Sequence, residues 1–453
     1  MYVTRGLIRL GVALAVVLAA PVARADTLGS ALVDAYENSG LLEQNRALLR
    51  VADEDVAIAA AALRPIVNWS AEATSTNPRA AGADVVDATL SLSATMTLYD
   101  GGASRLAAQA QRENVLATRQ ALVNVEQQVL FRAIAAYLNV KRDGEFVSLR
   151  ESNVRVLTQE LRAAQDRFDV GEVTRTDVAL AEARLAAARS LLAAAEGNLA
   201  RSNEEFTAAV GRRPGVLASA PAAPVRRSVA EAKSIAVQRH PAMLQAQHAV
   251  TAAELSIQRA ETSTTPNVNV TGLVGMDDEG NAGQSLSLSV GGPIYAGGAL
   301  QAQVRQARAL RDAQRAALHV TSFSIQQAVG DAYANYSVAR AGREAYERQV
   351  RAARVAFEGV REEARLGART TLDVLNAEQE LLDAQANLVS AQIDEVLTGY
   401  AILSSMGLLT AQELRLNVQT YDPEAYYNLV KDAPSALSPQ GEALDRVLEA
   451  IGK

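Results

Sequence analysis

The sequence predicts an α+β membrane protein in which long coiled-coil helices carry pairs of amphipathic strands, arranged as two tandem repeats. Three observations predict it: an internal duplication at constant spacing, stretches whose apolar period switches from seven to two, and an export-type N-terminus followed by no transmembrane helix. The duplication is read residue against residue. Tyr99-Asp-Gly-Gly102 is echoed by Tyr295-Ala-Gly-Gly298, and Ala136-Tyr137 with Asn139 by Ala332-Tyr333 with Asn335. Gly171, Asp177 and Gly211 return as Gly367, Asp373 and Gly407, and every pair is 196 residues apart. Loops tolerate changes of length and packed elements do not, so an invariant spacing marks two arms that must be equally long.

The N-terminal segment carries Arg5 and Arg9, an apolar run from Gly11 to Ala20, and Ala23-Arg24-Ala25 in the small-x-small pattern of a cleavage site. Residues 1–25 thus read as a secretory signal peptide, with Asp26 as the first mature residue. There is no Cys in the chain, so neither an N-terminal lipid anchor nor a disulfide framework is available, and stability must come from burial or assembly. With 44 basic and 51 acidic residues the chain is acidic and carries no nucleic-acid footprint. Beyond the signal segment no apolar run is long enough for a membrane helix, which leaves membrane strands open.

Residues 26–220 form the first repeat, 221–410 the second, and 411–453 a tail without periodicity that is expected to pack around the middle of the molecule. Each repeat opens with a predicted helix, over residues 28–63 and 228–262. The long helices follow over 103–170 and 299–366, rich in Ala, Leu, Gln, Glu and Arg and nearly free of Pro and Gly. Their apolar residues step by three and four, as in Val154, Leu157, Leu161, Ala164 and Phe168, and in Tyr346, Val350, Ala353, Phe357, Val360 and Ala364. Gly171 and Gly367 suit left-handed C-caps, and threonine-rich turns then start return helices with the heptad lines Val178, Leu185, Leu192, Leu199, Phe206 and Leu375, Leu382, Val389, Val396, Leu403. The expected match is one long helix against two shorter ones set end to end.

Strand pairs are predicted over 65–98 and 266–295, where apolar and small polar residues alternate, as in Leu286-Ser-Leu288-Ser-Val290. Pro65 and Pro266 mark the change from helix to strand; their spacing is 201, so a five-residue slip falls within the hairpins, at tips 77–82 and 277–283. Strands of this length can cross a bilayer when tilted. Four strands cannot close a barrel, and an open sheet edge is excluded from lipid. The chain must therefore oligomerise; two copies would give eight strands and three would give twelve.

The duplicated helix-strand-strand-helix-helix order, the Tyr-x-Gly-Gly strand exits and the turns Phe168-Asp-Val-Gly171…Thr176-Asp177-Val178 and Gly367-Ala-Arg-Thr-Thr-Leu-Asp373-Val-Leu375 together resemble the TolC family of outer-membrane efflux and secretion channels, over residues 27–410. The resemblance implies a homotrimer: a 12-strand β-barrel in the outer membrane of a Gram-negative cell, continued by a 12-helix tunnel through the periplasm. It implies docking of a periplasmic adaptor and an inner-membrane pump of RND or ABC type, and passive conduction of a drug, protein or small molecule. Carried over by position, the periplasmic gate comprises Thr176, Asp177, Arg369, Asp373 and Asn376, with Arg369 clamping Thr176 and Asp177, and Asp373 forming an acidic ring. The turns at Gly171 and Gly367 would meet the adaptor. Two positions depart from the family pattern, Ala364 replacing a tyrosine and Asn376 an aspartate.

Trp69, Tyr99 and Tyr295 are expected to form an aromatic girdle at the membrane boundary. Enzymatic chemistry is not expected: His240, His248 and His319 are the only histidines, no cofactor or metal motif accompanies them, and Asp277-Asp-Glu-Gly280 lacks the spacing of a calcium loop. The Gly291-Gly292 and Gly297-Gly298 pairs lack the lysine of a phosphate loop. The competing reading, a periplasmic coiled-coil adaptor or structural protein, explains the helical hairpins but gives the four strands no role. Detergent dependence separates the two: the channel is expected to be recovered from membranes only with detergent, and a mature chain that is monomeric and soluble without it would refute the channel.

Overall fold

A computed structural model of the chain describes residues 26–75, 86–435 and 438–451. The signal segment and the first hairpin tip expected from the sequence lie outside these residues. In chain order the elements are α1 (Leu28–Glu37), α2 (Gly40–Ala61), β1 (Ile66–Ser75), β2 (Val86–Tyr99), α3 (Ala103–Asp169), α4 (Arg175–Val210), α5 (Val229–Arg239), α6 (Pro241–Glu261), β3 (Asn267–Asp277), β4 (Ala282–Gly291), α7 (Ala299–Arg365), α8 (Thr371–Ser405), α9 (Pro423–Val430) and α10 (Pro439–Ile451). Both long helices have 67 residues and begin and end 196 positions apart, about 100 Å of helix each. A helix of that length survives only by burying a stripe along its neighbours. Near the strands α3 packs Val115 against Leu49 and Val56 of α2. Near its far end it packs Leu157 against Leu185 of α4 and Leu375 of α8.

Where the sequence predicts single helices over 28–63 and 228–262, the structure has two each. The first breaks at Asn38-Ser39, where the Ser39 side chain accepts a hydrogen bond from the Leu42 backbone N–H. The second breaks at His240-Pro241: Pro241 occupies the first helical position and His240 is extended, because a proline disfavours helical geometry in the residue before it. Each break receives the end of a return helix. Gly211, which caps α4, faces Asn38, whose amide donates to the Val210 carbonyl at 3.4 Å; Gly407, just beyond α8, faces His240 and Pro241. The stacked columns are therefore α2 over α4 and α6 over α8, 22 and 36 residues in the first and 21 and 35 in the second.

The displaced pieces, α1 and α5, lie beside the long helices at this level. Leu28, Leu32 and Tyr36 join Leu130, Ile134, Tyr137, Phe206 and Val210 in the largest core of the chain. Ala232 and Ala236 of α5 join Val329 and Ile402. The duplicated tyrosines tie irregular segments to the long helices here. The Tyr137 hydroxyl shares its one proton between the carbonyls of Asp26 and Ala218, 2.8 and 2.7 Å away, and the Tyr333 hydroxyl donates to that of Arg227 at 3.0 Å. Asp26 is held further by Arg212, whose two terminal nitrogens donate to its carboxylate at 2.6 and 2.9 Å.

The tail starts in the same core through Leu409 and Ala411 but does not stay there, contrary to the expectation from sequence. It climbs along α2 and α3 toward the strands. Arg119 lies over the Tyr427 ring and pairs with Glu424 at 3.3 Å, the Tyr426 hydroxyl donates to Glu54 at 2.6 Å, and Arg64, two residues before β1, donates to the Ala433 carbonyl at 2.7 Å.

The joints between stacked helices make a comparative prediction. A side chain at Gly407 (φ +76°) would place its Cβ 2.7 Å from the His240 Cα, whereas one at Gly367 (φ +77°) meets nothing within 4 Å. Gly367→Ala should lower stability by about 1–2 kcal/mol, the left-handed backbone term alone. Gly407→Ala should lower it by clearly more, as read from thermal unfolding followed by circular dichroism.

Candidate functional site

The strands form one antiparallel sheet in the order β1-β2-β3-β4, so β2–β3 pairing joins the two repeats and β1 and β4 each keep an unpaired edge. Register sorts the side chains into two faces. Val67 and Trp69 lie opposite Ala94 and Leu92, and these opposite Gly272 and Val274; Val268, Val270 and Gly272 in turn lie opposite Val290, Leu288 and Leu286. The alternate positions carry Ser70, Ser91, Ser93, Thr95, Thr271, Ser285, Ser287 and Ser289, with Ser70 and Ser91 hydroxyls 2.8 Å apart and those of Thr95 and Thr271 3.2 Å apart. One face is apolar and the other is lined with hydroxyls, the pattern of a strand between lipid and water. Leu286 is 80% exposed and Trp69 74%, so among the described residues nothing covers these parts of the apolar face.

The three predicted girdle residues do not share a level. Tyr99 ends β2 and Tyr295 lies beyond β4 at the helix–strand junction, both exposed. Trp69 pairs with Leu92, seven residues up β2 from Tyr99, because β1 starts opposite Thr95 rather than at the base of β2. At the opposite hairpin tip, Asp277 accepts hydrogen bonds from the Asn281 backbone and side-chain nitrogens at 2.7 and 2.9 Å, so this carboxylate shapes a turn.

At the far ends of the helices the two tips are near copies. Gly171 and Gly367 adopt φ +83° and +77°, and the following N–H groups, of Glu172 and Ala368, each donate back to the helix at 2.8 Å. Thr174 and Asp177 form a capping box, as do Thr370 and Asp373, closing the exposed N–H groups of α4 and α8. The Thr174 hydroxyl and backbone N–H hold the Asp177 carboxyl below its ordinary pKa, and the Thr370 backbone and hydroxyl do the same for Asp373; both are anions at neutral pH. Thr176 is exposed beside Asp177 on the first turn of α4. Arg369 does not reach Asp177 within the protomer: it donates to Glu363 of its own hairpin at 2.8 Å.

What links the hairpins is a set of contacts that the sequence reading missed. Asn153 of α3 donates to Glu378 of α8 at 2.9 Å, and both side chains are buried. Arg361 of α7 meets Glu160 of α3 at 3.5 Å, and Arg184 of α4 donates to Asn376 of α8 at 3.3 Å. Asn376 is thus a cross-hairpin acceptor, and Ala364 is buried at the end of α7, where a small side chain lets the helices close up. A signal for Glu378 did exist: it is a carboxylate three residues after Leu375 and four before Leu382, on the apolar line of the heptad.

Burial pushes the Glu378 carboxyl up to about 7, against the opposing hydrogen bond from Asn153, and its second oxygen has no partner among the described residues. A folded-state pKa raised above the free value means that the packed state favours the protonated carboxyl; the stability this gives is complete below about pH 4.5 and is lost as pH rises through about 7, where the buried group must carry its charge. Glu378→Gln is expected to raise the thermal midpoint more at about pH 8 than at about pH 5. An unchanged pH dependence of the melt would show that Glu378 does not titrate in the packed state.

Set beside known proteins, the chain matches the family model of outer membrane efflux proteins over residues 31–212 and 233–406. It is 36% identical over 430 residues to outer membrane efflux protein BepC of Brucella suis, covering 92% of this chain and 93% of the relative. It is 25% identical to outer membrane protein TolC of Escherichia coli, covering 72% of this chain and 70% of that one. The fold superposes on the crystal structure of the Campylobacter jejuni CmeC outer membrane channel with a TM-score of 0.76 at 16% identity, covering 90% of each chain. Two repeats of long helices standing on a half-apolar, half-hydroxylated sheet complete the argument: the chain belongs to the outer membrane efflux protein family, a family of channels and not of enzymes.

Proposed function

We propose that three copies of this chain close into one conduit, the outer-membrane exit duct of a tripartite efflux or type I secretion system. The observation that carries this reading is the sheet: four strands with two unpaired edges, apolar on one face and hydroxyl-lined on the other, continuous with two equal 67-residue helices. Three such sheets pair β4 of each copy with β1 of the next, leaving no edge in the lipid. The apolar face then meets the outer membrane, the hydroxyl face lines a wet lumen, and the helical columns extend it into the periplasm. In this reading the chain is exported on residues 1–25, is cleaved after Ala25, and uses its duplicated halves, divided near residue 220, as two equivalent sectors of the wall.

The gate lies at the tips. Arg369 exchanges its partner Glu363 for Thr176 and Asp177 across a subunit boundary, and Asp373 forms a ring of three anions facing the entrance. The Gly171 and Gly367 turns meet the periplasmic adaptor, and an inner-membrane pump of RND or ABC type supplies substrate. Opening separates the α7–α8 hairpin from α3–α4, at the cost of the Asn153–Glu378 and Arg361–Glu160 contacts. Arg369→Ser is expected to raise single-channel conductance in planar bilayers. Conductance equal to that of the unmodified channel would remove Arg369 from the gate.

A further inference from the structure

The tail ends in a helix that the channel reading does not use. Arg64, at the exit of α2 and two residues before β1, donates to the Ala433 carbonyl, which fixes the end of the climbing segment beside the helix–strand junction. Ala433 takes the left-handed conformation, φ +44°, an unfavourable one for a residue with a Cβ, to present that carbonyl. α10, which starts at Pro439, is strongly amphipathic: Ala443, Leu444, Val447 and Leu448 share one side, while Glu442, Asp445, Arg446 and Glu449 are exposed on the other. Leu444 packs against the cluster of Ala57, Tyr426 and Val430, but Leu448 on the same side remains 41% exposed. The protomer thus covers only part of the apolar side, near the level where the apolar face of the sheet begins with Val67, itself 61% exposed and three residues beyond Arg64.

Resting on the outer-membrane reading above, we propose that α10 is an interfacial helix that lays the uncovered part of its apolar side on the periplasmic leaflet around the foot of the barrel. Nearness to the lipid-facing surface of β1, set by the Arg64–Ala433 hydrogen bond three residues before Val67, is the reason for choosing lipid as the occupant. An amphipathic helix of this kind lies in the headgroup region with its charged side to water. Its charged side bears three carboxylates to one guanidinium, so the surface it fits is zwitterionic, of the phosphatidylethanolamine type, rather than anionic. With no Cys to carry a lipid chain, the helix would supply a second, non-covalent attachment outside the barrel.

The cysteine-free sequence makes the test direct. The single substitutions Leu448→Cys, Glu449→Cys and Leu286→Cys are labelled with an environment-sensitive fluorophore in the full-length channel, reconstituted in phosphatidylethanolamine/phosphatidylcholine vesicles with or without phosphatidylglycerol. The expected result is that the Leu448 label loses most of its emission to lipid-borne quenchers, as the Leu286 label does, while the Glu449 label responds only to a water-soluble quencher. Adding phosphatidylglycerol should weaken the lipid quenching at 448 and leave that at 286 unchanged. A Leu448 label quenched only from water, or shielded from both quenchers by a neighbouring subunit, overturns the proposal while leaving the channel intact. Failure of the Leu286 label to meet lipid would overturn the membrane reading itself.

Discussion

The constraint on which the rest of this molecule depends is that a peptide group in hydrocarbon must find its hydrogen bond within protein. A four-stranded sheet with free edges at β1 and β4 cannot meet it alone, so the chain is built to be multiplied. Multiplication in a ring sets the next requirement. Every column of the wall must span the same height, or neighbours would leave apolar seams exposed along the helices. Two 67-residue helices with identical spacing at both ends satisfy that requirement, and duplication of one unit is the simplest way for a gene to keep two columns equal.

Midway along the columns the protomer is held by burial and by a few polar ties. The largest core lies where α1, α3 and the end of α4 converge, and the wholly buried Tyr137 stitches Asp26 and Ala218 to it through its hydroxyl. Arg212 grips Asp26 and Asp34 at 2.6 Å each; its fork suits a carboxylate far better than an ammonium would. The echoed Ala-Tyr-x-Asn motif therefore marks an equatorial tie and not a site of chemistry.

Much of this was legible in the sequence because the signals are strong and repeated. Heptad lines place the long and return helices to within a residue or two, glycines and threonine turns place the tips, and Pro65 and Pro266 place the strands. The breaks at Ser39 and Pro241 were missed since the flanking residues keep helical propensity, and only the arrival of Gly211 and Gly407 shows why the chain must step aside there. Residue type alone suggests a girdle position for Trp69, but its level depends on the strand stagger, which pairs it with Leu92 and which a single sequence does not encode. Arg369 was assigned a partner by resemblance, whereas in the protomer the adjacent Glu363 holds it. Glu378 is hidden in the sequence because a single carboxylate on an otherwise apolar heptad line does not break the period, and its burial depends on α3 closing over it with Asn153.

The joints at Asn38/Gly211 and His240/Gly407 have a mechanical consequence. In α3 and α7 every backbone hydrogen bond runs unbroken from barrel to tip, so bending them strains a continuous ladder. In the columns beside them two helix ends merely abut, and an abutment transmits compression but resists rotation only through side-chain contact. Stiff and jointed columns therefore alternate around the wall. Both joints lie at one level, beside the cores built around Tyr137 and Phe206 and around Val329 and Ile402, so side-chain burial there takes the place of the continuous backbone ladder of α3 and α7.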